Sequence, residues 1–445
     1  MRRLHPGPGA AALLTLLGGC LVVETDYTQL PPGPYRGVFL LDGRQSERVD
    51  ADDVVANDLR LEDVRRDELP FNFEVAYAPD SAMYLELING TERIRVDDIA
   101  FERLYDVARD SVTIRFPLND AYFTGYHEEG VLEGYYVDET RDGGDYRIPL
   151  LAQHGLAHRF TQLRKEPAAD YSGRWAVTFG VQEGEDPYPA VAELRQEGNR
   201  LTGTFQTETG DYRYLEGTAQ AERLYLSVFD GTHIFLFTAK EQPDGTLLGI
   251  FRSGTHYQTL WEARRDADAE LADATSLTRV LDPESSVAIE GIDASTGQRV
   301  RIGADAPAEA LRVVSLFGSW CPNCADEARY LDSLRAHLDP ERVRVYGAAF
   351  EKMRDTTRAL AAVRRFGERL DLGYPLVLVS TSGDKAEATA TLGFLDRVRS
   401  FPTLLVLDGD NRVVYVHQGF AGPATSAYGP FARAFAKTLD SLAAS

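Results

Sequence analysis

The sequence is poor in cysteine and in positive charge. Three of its 445 residues are cysteines, Cys20, Cys321 and Cys324, and no second Cys-x-x-Cys or nearby Cys/His pair completes a four-ligand structural zinc site. We therefore expect no metal. Lys and Arg number 47 against 69 Asp and Glu, which gives a formal net charge of −22. This balance argues against nucleic acid as a partner and against charge-driven binding to an anionic membrane.

Long apolar runs are also missing. The N-terminal segment has two arginines and then an apolar stretch too short to span a bilayer, and no later segment is long and apolar enough to do so. The stretch ends at Leu17-Gly18-Gly19-Cys20, which resembles a bacterial lipobox and implies cleavage before Cys20 and lipidation of its sulfur. An ordinary secretory signal with an incidental cysteine is the alternative. Both predict export, and Leu21 after the cysteine favours sorting to an outer membrane.

The two remaining cysteines form a Cys-x-x-Cys motif between a predicted strand and a predicted helix. The apolar run at 313–317 predicts a buried strand, and Trp-Cys-Pro-Asn-Cys at 320–324 opens a helix with Pro322 in its first turn. Cys321 then faces unpaired amides and the positive end of the helix dipole, which stabilise a thiolate. Cys324 is close enough to form a disulfide with it. An inert structural disulfide is disfavoured because so short a loop contributes little chain entropy.

A carboxyl group follows in the same predicted helix. At about 100° per residue, one face of this helix carries a stripe that consists of Cys324, Glu327, Ala328, Leu331, Leu334 and Leu338. Asp326 and Arg329 point away from the stripe. Desolvation should raise the pKa of Glu327, which would then exchange a proton with Cys324. The alternative is a first-turn acid that interacts only with the helix dipole.

Residues 285–445 resemble the thioredoxin superfamily and, within it, the exported TlpA/ResA-type thiol–disulfide oxidoreductases. The resemblance rests on the motif at 320–324, on Glu327 three residues after its second cysteine, and on Ser-Phe-Pro-Thr at 400–403 before a predicted strand. It implies an α/β thioredoxin-like C-terminal domain, with a mixed sheet covered by helices. The predicted element order agrees: a hairpin, three strand–helix pairs, a second hairpin and a final helix.

The same resemblance implies roles for individual residues. Cys321 would be the nucleophile, Cys324 the resolving thiol, Glu327 the proton relay and Pro402 a cis-proline facing the dithiol. The buried aspartate that ordinary thioredoxins carry six residues before the first cysteine is Ser315 here, so Glu327 would take its place.

The resemblance also predicts a substrate groove and partners. The groove would be shaped by Trp320, Pro322 and Phe401. Partners would be protein disulfides and a membrane electron donor, because the chain has no membrane domain or cofactor motif. The redox-active Cys321–Cys324 disulfide would be the only redox group.

The middle of the chain has a different pattern. After a signal segment at 1–19 and a tether at 20–34, short alternating apolar runs at 35–265 predict an all-β antiparallel region, barrel-like or sandwich-like, followed by a linker at 266–284. A weak internal echo suggests two related meanders, 35–166 and 170–265, although one continuous β unit is favoured. Asn89-Gly90 suits the centre of a hairpin turn. Residues 230–233 are typical of a turn between strands, with the lining of a pocket as the alternative.

These observations lead to one hypothesis with two alternatives. The hypothesis is a thiol–disulfide reductase of the bacterial cell envelope, lipid-anchored through Cys20 and facing the periplasm, whose β region recruits substrates or acts as a spacer. One alternative is a ligand-binding lipoprotein in which the β region does the main work. The other is a dedicated thiol reductase for cytochrome c maturation.

Overall fold

The computed structural model describes residues 29–41, 68–104, 109–117, 120–141 and 146–444. The predicted signal segment, Cys20 and most of the predicted tether lie outside these residues. Within them, no helix has the length and apolar character needed to cross a membrane.

Nine strands between residues 33 and 154 form the first antiparallel sheet. Neighbours in sequence pair with each other except β4 and β5, and β1 also pairs with β9, so the order is β4-β3-β2-β1-β9-β8-β7-β6-β5. Side chains alternate between the interior and solvent, most regularly in β3, which explains the period-two pattern of the sequence. The strands are β1 (Gly33–Leu40), β2 (Glu68–Tyr77), β3 (Met83–Asn89), β4 (Glu92–Val96), β5 (Ile99–Leu104), β6 (Arg109–Arg115), β7 (Ala121–Glu128), β8 (Val131–Asp138) and β9 (Tyr146–His154).

Nine further strands between residues 173 and 265 form the second sheet. Its order is β11-β10-β18-β17-β16-β15-β14-β12-β13, and an additional pairing between β11 and β12 closes it into a barrel. The strands are β10 (Gly173–Phe179), β11 (Tyr188–Glu197), β12 (Arg200–Thr207), β13 (Gly210–Asp211), β14 (Leu215–Gln220), β15 (Arg223–Phe229), β16 (Ile234–Glu241), β17 (Leu247–Ser253) and β18 (Tyr257–Arg265). Together the two sheets are called the β region.

The two sheets pack on each other around Phe229. This side chain lies in the core of the first sheet, edge-on to Phe39 and Phe71 with ring centroids 4.9 and 4.8 Å away. The amide of Asn89 donates to the carbonyl of Phe229 at 2.8 Å and is fully buried. Asn89 therefore ends a strand and joins the sheets, whereas the hairpin turn lies at residues 90–91. The favoured single β unit is thus divided into two sheets, although these share a core.

The α/β domain follows, with a seven-stranded mixed sheet ordered β20-β19-β23-β22-β21-β24-β25. The central strands β21, β22 and β23 are parallel, and the predicted element order is present. The elements are β19 (Glu290–Asp293), β20 (Arg299–Arg301), β21 (Leu311–Phe317), α1 (Pro322–Arg335), β22 (Val343–Phe350), α2 (Thr356–Arg369), β23 (Leu376–Ser380), α3 (Lys385–Leu392), β24 (Thr403–Leu407), β25 (Val413–Gln418) and α4 (Tyr428–Ala444). Helix α1 ends before Leu338, which therefore falls outside the predicted helical stripe.

A buried ion cluster joins both sheets to α1. Arg213, between β13 and β14, pairs with Asp326 of α1 and with Glu92 of β4 at 2.6 Å. Its Nε lies 3.4 Å from a carboxylate oxygen of Asp230, which follows β15. Burial alone would lower the pKa of Arg213, but the surrounding carboxylates raise this pKa by more than burial lowers it. The guanidinium therefore stays charged. The cluster fixes the β region against the α/β domain.

Asp326 points away from the apolar stripe, as the helical spacing predicts. It is nevertheless only 9 % exposed, because the β region covers it. Arg329, also predicted to be outside the stripe, remains half exposed and pairs with Asp326 at 3.1 Å. Helical periodicity identifies the face that packs within its own domain and contains no information about a second domain on the opposite face.

Removing Arg213 should destabilise the protein strongly. Arg213→Ala leaves three buried carboxylates without their cation, and breaking such a buried pair typically costs about 3–5 kcal/mol. Arg200→Ala is the matched control, because Arg200 is half exposed and its pair with Glu216 should contribute at most about 1 kcal/mol. Urea unfolding of both variants measures the difference. Equal, small losses would show that the cluster does not hold the domains together.

Candidate active site

The Cys321–Cys324 pair forms a disulfide at the beginning of α1. Cys321 is the N-cap residue, Pro322 is the first helical residue as predicted, and the two Cα atoms are 5.2 Å apart. The backbone amide of Cys324 donates to Sγ of Cys321 at 3.2 Å. When the disulfide is reduced, this donor and the helix dipole favour a thiolate on Cys321.

The predicted groove residues surround Cys321. Its Sγ lies 3.5 Å from the carbonyl oxygen of Phe401, and the Phe401–Pro402 peptide bond is cis, as predicted. Trp320 packs edge-on against Phe401, with ring centroids 5.9 Å apart, and its indole N–H donates to the carbonyl of Phe350 at 3.1 Å. The structure therefore places Trp320, Phe401 and Pro402 beside the dithiol.

Glu327 is fully buried one turn after Cys324. The hydroxyl of Ser315 on β21 donates to Oε2 of Glu327, while Oε1 has no hydrogen-bond partner within the described ranges. Burial raises the pKa of Glu327 to about 8, and the Ser315 hydrogen bond offsets only part of this rise. The direction agrees with the prediction from helical spacing. A group with this pKa gains and loses a proton near neutral pH.

A second buried carboxyl group supports the loop before the motif. Glu351, just after β22, accepts hydrogen bonds from the backbone amide of Ser319 at 2.8 Å and from its hydroxyl at 2.9 Å. Burial raises the pKa of Glu351 to about 7. No sequence pattern predicts this role for Glu351, because a glutamate at the end of a strand cannot be distinguished from a surface acid. It fixes the backbone that leads into Trp320.

The β12–β13 hairpin contacts the Cys-x-x-Cys motif directly. The side-chain amide of Asn323 donates to the carbonyl of Asp211 at 3.2 Å, and the Asp211 carboxylate accepts from the amide of Gly422 at 2.7 Å. Gly210 adopts φ +145°, and a Cβ there would collide with the Asn323 amide. The β region is thus docked on the face of the α/β domain that carries the dithiol.

This docking leaves a cleft of about 270 Å³ over Cys321, which we call the dithiol cleft. Cys321 is 8 % exposed at its base. Its walls include Arg141, Thr209, Asp211, Thr232 and His233 from the β region, and Trp320, Asn323, Lys352, Lys385 and Phe401 from the α/β domain. The segment at 230–233, predicted as a turn with the lining of a pocket as the alternative, therefore lines a cleft. Only the docking of two domains brings it near Cys321.

The comparisons with known proteins agree with this chemistry. No family model matches the chain. The thiol:disulfide interchange protein DsbE of Escherichia coli K12 is 28% identical over 167 residues, which are 37% of this chain and 78% of that protein. Two solved structures resemble parts of it. A DsbF homologue from Corynebacterium diphtheriae is 23% identical and the match covers 37% of this chain and 92% of that chain, with a TM-score of 0.29. The exposed lipoprotein thioredoxin of Streptococcus pneumoniae is 21% identical and the match covers 35% of this chain and 99% of that chain, with a TM-score of 0.26.

Similarity to a thiol:disulfide interchange protein therefore extends over about a third of the chain. The Cys321–Cys324 pair is at disulfide distance at the start of a helix, which is the arrangement that this chemistry requires. The chain is a thiol–disulfide oxidoreductase.

Proposed function

We propose that this protein is an exported, lipid-anchored reductase of protein disulfides, of the TlpA/ResA type. The observation that carries the reductase mechanism is the buried Glu327, whose carboxyl group follows Cys324 by one helical turn and has an oxygen without a partner within the described residues. The proposal of export and anchoring rests on the lipobox-like sequence that ends at Cys20. An envelope location is in keeping with DsbE-like relatives.

The reaction proceeds through a mixed disulfide. The Cys321 thiolate attacks one sulfur of a substrate disulfide, the substrate S–S bond breaks, and the released substrate thiolate takes a proton. The Cys324 thiolate then attacks Sγ of Cys321, which releases the second substrate thiol and leaves the Cys321–Cys324 disulfide. The substrate gains two electrons and the protein loses two. A membrane electron donor must return them.

Glu327 serves the second step in this proposal. A carboxyl group with a pKa of about 8 nearly matches a thiol, whose ordinary pKa is about 8.5. Proton transfer between matched groups has a small energetic cost in either direction. Ionised Glu327 therefore accepts the proton of Cys324 during resolution and returns it when the disulfide is reduced again.

The alternative of a ligand-binding β region has less support. The cavity inside the first sheet is about 20 Å³, lined by apolar residues such as Phe71, Leu87 and Phe123. This volume is roughly that of one water molecule, so this cavity holds no lipid or sugar. A larger cleft of about 370 Å³ beside the first sheet is shared with the α/β domain, which contributes Trp320 and Glu351 to its lining. In our proposal the β region instead forms one wall of the dithiol cleft and selects substrates. A role in cytochrome c maturation stays a prediction.

A Cys324→Ala variant tests the proposed function. Without the resolving thiol, substrates should accumulate as stable disulfides on Cys321, and mass spectrometry of reductant-released proteins should identify them. The control is a Cys321→Ala/Cys324→Ala double variant, which should capture nothing. Equal capture by both variants would place the reactive thiol elsewhere and contradict the proposal.

Glu327→Gln should slow resolution more than attack. The substitution keeps the side-chain volume and removes the proton acceptor. General base catalysis typically accelerates a reaction step about 10²–10⁴-fold. We expect about 10²-fold slower decay of the mixed disulfide near pH 7, because a thiol is a fair nucleophile without help. The difference in decay rate between the variant and the wild type should become smaller as the pH rises above the pKa of the thiol, because Cys324 then ionises without a base.

Rapid mixing across pH separates formation of the mixed disulfide from its decay. Asp332→Asn, which changes a carboxylate later in α1 without touching the dithiol, is the matched control. If decay is unchanged in Glu327→Gln, the carboxyl group has only a structural role.

Lipid anchoring predicts a mature chain that begins at Cys20. A clickable fatty acid supplied to cells should label the wild-type protein, and Cys20→Ser should abolish the label. Membrane fractionation of both proteins provides a second measurement. An unlabelled wild-type product with a free Cys20 thiol would contradict this part of the proposal and leave the thiol chemistry intact.

A further inference from the structure

The dithiol cleft gathers positive charge in a protein whose net charge is −22. Lys352 and Lys385 line the cleft with exposed side chains, and Arg141 lines it from the β region. The Lys352 ammonium lies 3.6 Å from the centre of the Trp320 ring, next to the dithiol. The cations thus come from both domains and meet only where these dock.

The acidic groups of the cleft already have partners. Asp138 pairs with Arg141 at 3.0 Å and also accepts from Thr140. Asp211 accepts from two backbone amides and is buried. In contrast, neither Lys352 nor Lys385 has a carboxylate within ion-pair distance among the described residues. Two cations of the cleft therefore remain available to an incoming anion.

These cations also repel one another. Desolvation and then the charge of Arg141 lower the pKa of Lys352 to about 8, and Lys385 adds to the effect, although Asp138 and Glu351 oppose it. Desolvation lowers the pKa of the nearby His256 to about 4, and Arg141 and Lys352 add to this effect while Asp138 opposes it. The cations of the cleft therefore destabilise one another's charged forms, and a bound carboxylate would offset this repulsion.

The size of the cleft limits what can enter it. Its volume of about 270 Å³ is below the roughly 300–1,000 Å³ that drug-sized ligands occupy. Cys321 lines this cleft and is 8 % exposed, so a substrate sulfur has to enter the gap between the two domains to reach Sγ. A disulfide on an extended segment of chain can do so.

We infer that the dithiol cleft selects disulfides on extended polypeptide segments with carboxylates beside the reactive cysteine, which Lys352 and Lys385 bind. This inference rests on the proposed exchange at Cys321 and specifies its substrate class. The chemical step is unchanged: the Cys321 thiolate attacks the peptide sulfur, the departing group takes the electron pair of the broken S–S bond, and Cys324 then displaces the peptide as a thiol.

The test uses the full-length reduced protein and three peptides of equal length. Each peptide carries one cysteine as a 2-pyridyl disulfide, whose release of pyridine-2-thione is followed by absorbance, and its flanking residues are Glu, Gln or Lys. We expect the Glu peptide to react at least about 5-fold faster than the Lys peptide at low salt, since a unit-charge contact in water is worth about that factor. Added salt should reduce the ratio.

Charge removal assigns the effect to the cleft. Lys352→Gln/Lys385→Gln should bring the Glu-to-Lys rate ratio close to one, whereas Lys437→Gln, an exposed lysine on α4 away from the cleft, should leave it as in the wild type. Thermal unfolding of all variants verifies that they are folded.

Three results would overturn the inference. The first is a wild-type ratio near one or below it, and the second is a ratio that the double variant retains. The third is faster oxidation by glutathione disulfide than reaction with the Glu peptide, which would indicate a site for small acidic disulfides. Failure of all three peptides to react would instead refute the proposed exchange itself, and the inference with it.

Discussion

The arrangement of the protein depends on one buried cation. Arg213 is surrounded by carboxylates from the first sheet, the second sheet and α1, and each of these groups would be costly to bury alone. Because Asp326 is two residues beyond Cys324, the ion cluster acts on the helix that carries the dithiol. The β region is consequently a fixed part of the active site. The dithiol cleft exists because this docking leaves a gap between the β12–β13 hairpin and the loop before α1.

Within the α/β domain, two buried carboxyl groups serve the dithiol in different ways. Glu351 holds the backbone of Ser319 and so fixes the approach to Cys321. Glu327 lies on the other side of the motif, in the core, with Ser315 as its hydrogen-bond donor. Burial raises the pKa of both groups. Cys321 is therefore positioned through a backbone contact of the preceding loop, whereas Glu327 follows Cys324 by one turn on the same helix.

The predictions that hold are those with local signals. The strand–helix alternation, the position of Pro322 and the burial of Glu327 follow from patterns within a few turns of chain, and the cis bond before Pro402 is what the family resemblance implied. Contacts between distant segments gave no such signal. Asn89 looked like a turn residue but is buried against Phe229, 140 positions away. Helical periodicity places Asp326 off the apolar stripe but describes one packing partner only, so it does not reveal what covers this residue. Lys352 gave no signal, and the pocket alternative for residues 230–233 could not be decided from the sequence, since the cleft arises from two domains.

The contact between Gly210 and Asn323 has an evolutionary consequence. Asn323 lies between the two cysteines, so any substitution there changes the surroundings of both sulfurs. Here the same side chain also lies against Gly210, where its amide occupies the position that a Cβ would take. Redox tuning and domain docking therefore constrain the same pair of residues, and a Cβ at residue 210 requires the side chain at 323 to shift or to change. We expect the hairpin at 207–213 and the motif at 320–324 to covary among proteins with this architecture, and a β region transplanted from a distant homologue to disturb the thiols.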